Sequence, residues 1–186
     1  MFMLIRSSVL TLSLLAPALA MAGGSLDMGL SNDSVAMEYD AAQVGSGLHI
    51  SALGLHHETK GDVIGLGLSV VDVRNRQTNL YVGVGGRIYL FDQNDDESGA
   101  LAIGGFARYF PAEMGGFGIT GHVYYATKVI SFNETENFID TGLRLEYKVV
   151  PTAKVHFGYR FVQATEPGSR EIELNAGYQF GLRVDF

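Results

Sequence analysis

The chain has 186 residues, with 13 Lys and Arg against 20 Asp and Glu, 24 Gly and no Cys. The net charge of -7 argues against a nucleic-acid partner, because phosphate binding requires a basic face. The absence of Cys excludes a disulfide framework and a thiolate metal site, and no cofactor is expected.

The first 22 residues are typical of a secretory signal peptide. An apolar run too short to span a bilayer follows Arg6, and Ala20 and Ala22 fit the small-x-small rule for cleavage after Ala22. Cleavage after Ala20 and a retained anchor helix are the alternatives, and the abrupt change to polar residues argues against the anchor. We therefore predict that residues 1–22 are removed and that residues 23–186 form one exported domain.

From Gly23 onward, apolar and polar residues alternate with a period of two, in segments of about eight to twelve residues between turn-like clusters. This pattern predicts ten β-strands. In chain order the predicted strands cover Leu26–Leu30, Val35–Tyr39, Leu48–His57, Ile64–Val70, Leu80–Leu90, Leu101–Tyr109, Phe117–Tyr125, Ile139–Val149, Ala153–Phe161 and Ile172–Phe186. The segment Leu48–His57 is less regular, which suggests a bulge near Gly54.

The polar face of these strands is rich in Gly, with Arg, Glu, Asp and His interleaved, and the apolar face carries Tyr and Phe near the strand ends. This combination predicts an all-β, antiparallel, up-and-down transmembrane β-barrel with lipid outside and a polar lumen inside. The barrel must close, because an open edge would leave unpaired backbone groups in hydrocarbon. An eight-strand barrel, with residues 23–45 as a separate arm, is the alternative to ten strands.

An even strand count brings both termini to one side of the membrane, which is the periplasmic side in bacterial single-chain barrels. With the first strand running outward, the two longest connections, residues 92–98 and 128–136, fall on the outer side. Short turns such as Pro151-Thr152 fall on the inner side.

Charged residues of both signs lie on the predicted lumen face. Because buried charges need partners, we predict a salt-bridged plug that fixes strand register. A narrow selective pore is the alternative, although mixed signs disfavour strong ion selectivity. Glu38, Asp40, Lys148 and Asp185 lie on the same face. The predicted lumen charge network comprises Arg87, Arg108, Asp140, Arg144, Glu146, Lys154, Arg160, Glu171, Glu173 and Arg183.

His49 and Ser51 superficially resemble the His-x-Ser pair of outer-membrane lipid A deacylases. Ala52 stands where that family has Asn, and His49 lies near the inner end of its strand, away from lipid A. A lipid-acting enzyme is therefore an alternative, and we predict no catalytic residue.

Two stretches suggest metal ligands. His56 and His57 precede Glu58, but adjacent strand residues point to opposite faces. The acidic stretch 92–98 has part of a calcium-loop spacing, but Glu97 replaces the required Gly. We predict a solvated acidic loop and no metal site.

The C-terminal segment alternates most clearly. The alternation predicts that Ile172 and Leu174 face lipid and that Glu171 and Glu173 face the lumen. Its apolar positions resemble the signal read by the outer-membrane insertion machinery. The predicted barrel-assembly signal comprises Tyr178, Phe180, Leu182, Val184 and Phe186.

The stretch GGSLDMGLSNDSV after the predicted signal peptide, the alternating strands and the aromatic terminus together resemble the YfaZ family of predicted bacterial outer-membrane proteins. The resemblance covers essentially the whole mature chain. It implies a β-barrel in the Gram-negative outer membrane and no assigned activity.

We therefore predict an outer-membrane β-barrel that is structural, or a narrow porin-like channel with a charge-paired lumen, and not an enzyme. A surface interaction barrel acting through acidic outer loops is a further alternative. The expected partners are the lipid bilayer, lipopolysaccharide and the outer-membrane insertion machinery. The protein is expected to be a monomer.

Overall fold

A computed structural model of the chain describes residues 23–42, 47–72, 79–93, 96–132, 135–166 and 170–186. The predicted signal peptide, residues 1–22, lies outside the described residues. Within the described ranges, no helix is long and apolar enough to cross a membrane.

The described residues form eleven β-strands and two short 3-10 turns. The strands follow the alternating segments of the sequence, because an extended backbone sends successive side chains to opposite faces. The elements are β1 (Gly24–Leu30), β2 (Ser34–Ala42), β3 (Leu48–His57), β4 (Gly61–Val71), β5 (Leu80–Gln93), β6 (Asp96–Tyr109), a turn (Ala112–Met114), β7 (Phe117–Thr127), a turn (Lys128–Ile130), β8 (Ser131–Phe132), β9 (Asn137–Val150), β10 (Ala153–Glu166) and β11 (Arg170–Asp185).

Ten of these strands close into one antiparallel barrel, which confirms the predicted fold. Strands pair with their neighbours in sequence, β7 pairs with β9, and β1 completes the barrel by pairing with β11. The backbones of Gly24 and Phe186 exchange two hydrogen bonds of 2.9 Å, so the last residue takes part in closure. The two-residue strand β8 adds to β6.

The eight-strand alternative is wrong. Strand β1 pairs with β2 on one side and with β11 on the other, so Met28 lies opposite both Met37 and Leu182. Without β1 and β2, strands β3 and β11 would each carry an open edge, and such an edge is not tolerated in hydrocarbon.

Gly24 and Phe186 lie at the same end of the barrel, which we call the terminal end; the opposite end is the far end. Residues 31–33 and 128–136 connect strands at the far end, and Pro151-Thr152 turns at the terminal end. Strands β5 and β6 stay paired up to Gln93 and Asp96. Asp92, Gln93 and residues 96–98 are therefore strand residues of a hairpin and not part of the loop that the acidic composition predicts; residues 94–95 lie outside the described residues.

The side chains are arranged inside out. Leu66 is 60 % exposed on the outer wall, whereas Asp140 is 0 % exposed inside the barrel. Large apolar side chains on every barrel strand point outward in this way. A soluble sandwich would bury these residues, so the outer wall fits a lipid environment.

Glycines on the inner face give the lumen side chains their space. A Cβ at Gly67 would lie 2.5 Å from Ser51 Oγ and 3.2 Å from Arg87 Nε. A Cβ at Gly181 would lie 2.3 Å from the His156 ring. Substitution at either position would displace a polar side chain of the lumen.

A β-bulge in β11 reverses the predicted facing of its first residues. Val162 of β10 pairs with Asn175 and Gln163 pairs with Glu173, so one extra residue, Leu174, is inserted in β11. An inserted residue shifts the alternation by one. The predicted facing is therefore wrong before the bulge: Leu174 and Ile172 are buried in the barrel, and Glu171 and Glu173 are exposed outside.

An apolar cluster fills the barrel at the far end; we call it the far-end cluster. Its rings pack closely, with centroids 4.4 Å apart for Tyr89 and Phe138 and 5.5 Å apart for Phe91 and Phe138. Its members are Ala36, Leu53, Leu55, Val63, Tyr89, Phe91, Ala100, Ala102, Tyr124, Ala126, Phe138, Val162, Ala164, Ile172 and Leu174.

Candidate functional site in the barrel lumen

The lumen between the far-end cluster and the terminal end holds most of the charges predicted for it. Glu171 and Glu173 lie outside because of the bulge, and Glu173 contacts Lys60 on the outer surface. The other eight predicted residues project into the lumen: Arg87, Arg108, Asp140, Arg144, Glu146, Lys154, Arg160 and Arg183.

The charges nearest the far-end cluster surround Asp140 on β9. Arg160 donates two hydrogen bonds to this carboxylate, at 3.0 Å from Nε and 2.7 Å from the terminal nitrogen. The Tyr89 hydroxyl donates a third at 2.7 Å, and His122 Nε2 lies 3.1 Å from Oδ1. Both oxygens of the buried carboxylate are thus occupied, and four strands meet at one side chain.

A second group surrounds Asp27 on β1. Arg144 lies 2.7 Å from Asp27 Oδ2, and His156 Nε2 lies 3.0 Å from Oδ1. Arg144 also donates to Glu146 at 2.8 Å, and Arg183 approaches Asp27 within 3.8 Å. The Asp27 carboxylate on β1 therefore contacts side chains of β9, β10 and β11.

On the other side of the lumen, Arg87 of β5 reaches across to β2. Its guanidinium donates to Glu38 at 2.6 Å and to Ser51 at 3.3 Å. It also lies 4.6 Å from the centroid of the Tyr124 ring, a geometry in which cation and ring attract.

The terminal end of the lumen is open and contains both charge signs. Asp185 accepts a hydrogen bond from Arg183 at 2.9 Å and one from Lys154. Asp40 lies 2.9 Å from Nδ1 of His49. A cavity of about 450 Å³, which we call the vestibule, opens here, and a smaller cavity of about 90 Å³ lies deeper in the lumen.

The candidate enzyme pair is not assembled. His49 binds Asp40, and Ser51 accepts a hydrogen bond from Arg87. In the described part of the chain no hydrogen bond joins His49 to Ser51. Both side chains face the lumen and not the lipid.

The candidate metal ligands are also separated. His56 is exposed and contacts Asp62, whereas His57 is buried and accepts a hydrogen bond from the Thr59 backbone. Among the described residues, no group of three or more His, Asp or Glu is placed to hold a metal. Asn94, in the acidic stretch, lies outside the described residues.

Four residues of the predicted assembly signal lie on the outer wall of β11, and the fifth, Phe186, directly follows the strand. Their exposed apolar side chains form one row that ends beside β1, where Val184 pairs with Leu26 and Leu182 pairs with Met28. The row consists of Tyr178, Phe180, Leu182, Val184 and Phe186.

Asp27 and Tyr89 are lumen residues that the sequence prediction did not name. Asp27 lies between the outward-facing Leu26 and Met28, so its inward direction was present in the alternation of β1. Tyr89 lies two residues after Arg87 and therefore on the same face of β5. Aromatic residues, however, were expected at the lipid interface. Burial of an aromatic ring inside the barrel carries no sequence signal of its own.

A protein family described as "YfaZ precursor" matches residues 3–186. The chain belongs to the YfaZ family. A relative from Escherichia coli (strain K12), "Outer membrane protein YfaZ", is 26 % identical over 161 residues, which are 80 % of this chain and 83 % of the relative. The resemblance inferred from the sequence is confirmed, and this YfaZ-family protein is an outer-membrane β-barrel. The word precursor agrees with the predicted signal peptide.

Two solved structures are similar to this YfaZ-family chain. The outer membrane channel DcaP of Acinetobacter baumannii is 8 % identical with a TM-score of 0.45, covering 86 % of this chain and 54 % of the channel. This chain thus spans about half the length of DcaP. The KdgM porin is 12 % identical with a TM-score of 0.48, covering 88 % of this chain and 99 % of the porin.

Proposed function

We propose that this protein is a structural outer-membrane barrel whose charge-paired lumen does not conduct. The observation that carries the proposal is the far-end cluster. Among the described residues, nine of the ten barrel strands contribute buried apolar side chains to it. An apolar constriction without a water path closes a pore by dewetting. A porin-like channel would need a continuous wet path through this level.

The ion pairs support a structural role for the charged lumen. The Arg144–Asp27 contact joins β9 to β1, and the Arg87–Glu38 contact joins β5 to β2. Each contact spans two intervening strands of the barrel. Removing one partner would leave a buried charge, so these contacts disfavour other strand registers.

The proposal includes the absence of catalysis. A nucleophile needs a base within hydrogen-bonding distance, and His49 and Ser51 each bind a different residue instead. Their position in the lumen also separates them from an acyl chain in the bilayer.

The proposed orientation has both termini in the periplasm. Bacterial barrels have short periplasmic turns and longer external loops. The longest connection between barrel strands, residues 128–136, lies at the far end and supports this orientation. The terminal end has the short turn Pro151-Thr152 but also the connections 72–79 and 110–116. The far end would then face the cell exterior and lipopolysaccharide.

The proposed partners are the bilayer along the outer wall and the insertion machinery at the β11 row. A closed barrel has no open strand edge with which a second copy could pair. That feature supports a monomer.

Planar-bilayer recording of the refolded mature chain tests the proposal. Folding is checked first by the difference in gel mobility between unboiled and boiled samples, and a porin in the same bilayer serves as the positive control. We expect no stepwise conductance. Stepwise conductance from folded protein would overturn the proposal in favour of the narrow porin-like alternative.

A further inference from the structure

Two cations of the vestibule, Arg108 and Lys148, have no carboxylate within 4.0 Å among the described residues. Arg108 on β6 lies 5.5 Å from the Phe106 ring centroid, and its Nε is buried without a hydrogen-bond acceptor. The Lys148 ammonium on β9 lies 4.4 Å from the centroid of the Phe110 ring. By contrast, the described lumen arginines other than Arg108 each have a carboxylate within 4.0 Å.

The charges around the vestibule are unevenly distributed. On the wall formed by β6, β9, β10 and β11, Lys154 and Arg183 join Arg108 and Lys148. Lys154 and Arg183 both contact Asp185, and Arg183 also lies 3.8 Å from Asp27. On the opposite wall Asp40 is occupied by His49, and Asp72 completes the acidic lining. The β6–β11 wall therefore has an excess of positive charge.

A guanidinium whose Nε–H is buried without an acceptor loses hydration and gains nothing in return. Its planar fork matches the two oxygens of a carboxylate or phosphate group. The vestibule, at about 450 Å³, lies within the size range of small-ligand pockets, roughly 300–1,000 Å³.

We propose that the vestibule binds a small oxyanion, a phosphate or carboxylate group, with Arg108 as its principal ligand and Lys148 as a second cation. The anion enters and leaves through the terminal end. The far-end cluster and the ion pairs above Arg108 separate it from the opposite side of the barrel. The site depends on the vestibule alone, so a conducting barrel would leave this proposal intact.

Isothermal titration calorimetry on the refolded mature chain in zwitterionic detergent tests the site. Phosphate and succinate are titrated separately, with ionic strength held constant by sodium chloride, so that the two arms distinguish phosphate from carboxylate recognition. We expect saturable binding of at least one of them. Arg108→Gln should weaken that binding about tenfold or more, because a charge-assisted hydrogen bond is lost.

Lys60→Gln is the matched control, because Lys60 is a cation on the outer surface at the far end. The Lys60→Gln variant should bind the anion with the same affinity as the unsubstituted chain. Folding of each variant is checked by gel mobility. If Arg108→Gln does not fold, the test rests on Lys148→Gln, which should lose several-fold in anion affinity. The proposal is overturned if neither anion binds saturably, or if the folded deciding variant retains full affinity.

Discussion

Asp140 is a lumen residue whose carboxylate joins four of the described strands. Its carboxylate contacts Tyr89 on β5, His122 on β7 and Arg160 on β10. Loss of its charge would leave the buried Arg160 guanidinium without a counter-ion. Removal of one partner from a buried pair is strongly destabilising, because the other charge stays desolvated.

Asp140→Asn should therefore lower the free energy of unfolding by about 3–5 kcal/mol. Glu136→Gln is the control, because it breaks an exposed ion pair with Lys128 and should cost about 0–1 kcal/mol. Urea titration of the barrel in lipid vesicles, followed by gel mobility, measures both. Similar losses for the two variants would contradict the buried network.

At the scale of single elements, the sequence predicted most strands because a barrel wall imposes a strict period of two. Strand β3 looked irregular, and a bulge near Gly54 was predicted. The structure corrects this, because β3 pairs without a register shift on both sides. Leu53 and Leu55 point into the far-end cluster, so the mixed pattern arises from an apolar inner face and not from a bulge.

The bulge that does exist in β11 was invisible in the sequence. At the bulge, Glu173, Leu174 and Asn175 are polar, apolar and polar. They therefore continue the alternation of polar and apolar residues seen in the rest of β11. An inserted residue changes which face a side chain occupies without changing the order of polar and apolar residues. The partner strand decides the register, and a single strand cannot reveal it.

Substitutions at adjacent residues test the bulge. Leu174→Ala should cost about 2–5 kcal/mol, because it leaves a cavity in the far-end cluster. Glu173→Ala removes an exposed contact with Lys60 and should cost about 0–1 kcal/mol. The same vesicle-based unfolding measurement applies, and a larger loss for Glu173→Ala would reverse the assigned facing.

For the whole molecule, the sequence predicted the inside-out barrel, its ten strands and its family. It also predicted which strands would carry lumen charges, apart from β1, which carries Asp27, and the first part of β11. It could not predict which charges pair, since Asp27 meets Arg144 across two intervening strands. The division of the lumen into a far end filled by apolar side chains and an open terminal end likewise depends on closure, which brings distant strands together.

We propose that the far-end cluster seals a lumen that is wet from the terminal end. The chain has no Cys, so single substitutions provide unique labelling sites. Ser69→Cys lies beside the deeper lumen cavity, and Ala126→Cys lies in the far-end cluster.

A small, charged, water-soluble thiol reagent applied to the folded barrel in detergent makes the most direct measurement. We expect that Ser69→Cys is labelled and that Ala126→Cys is protected until the barrel is unfolded, when both react equally. Rapid labelling of Ala126→Cys in the folded barrel would mean that water passes the far-end cluster and that the lumen is not closed.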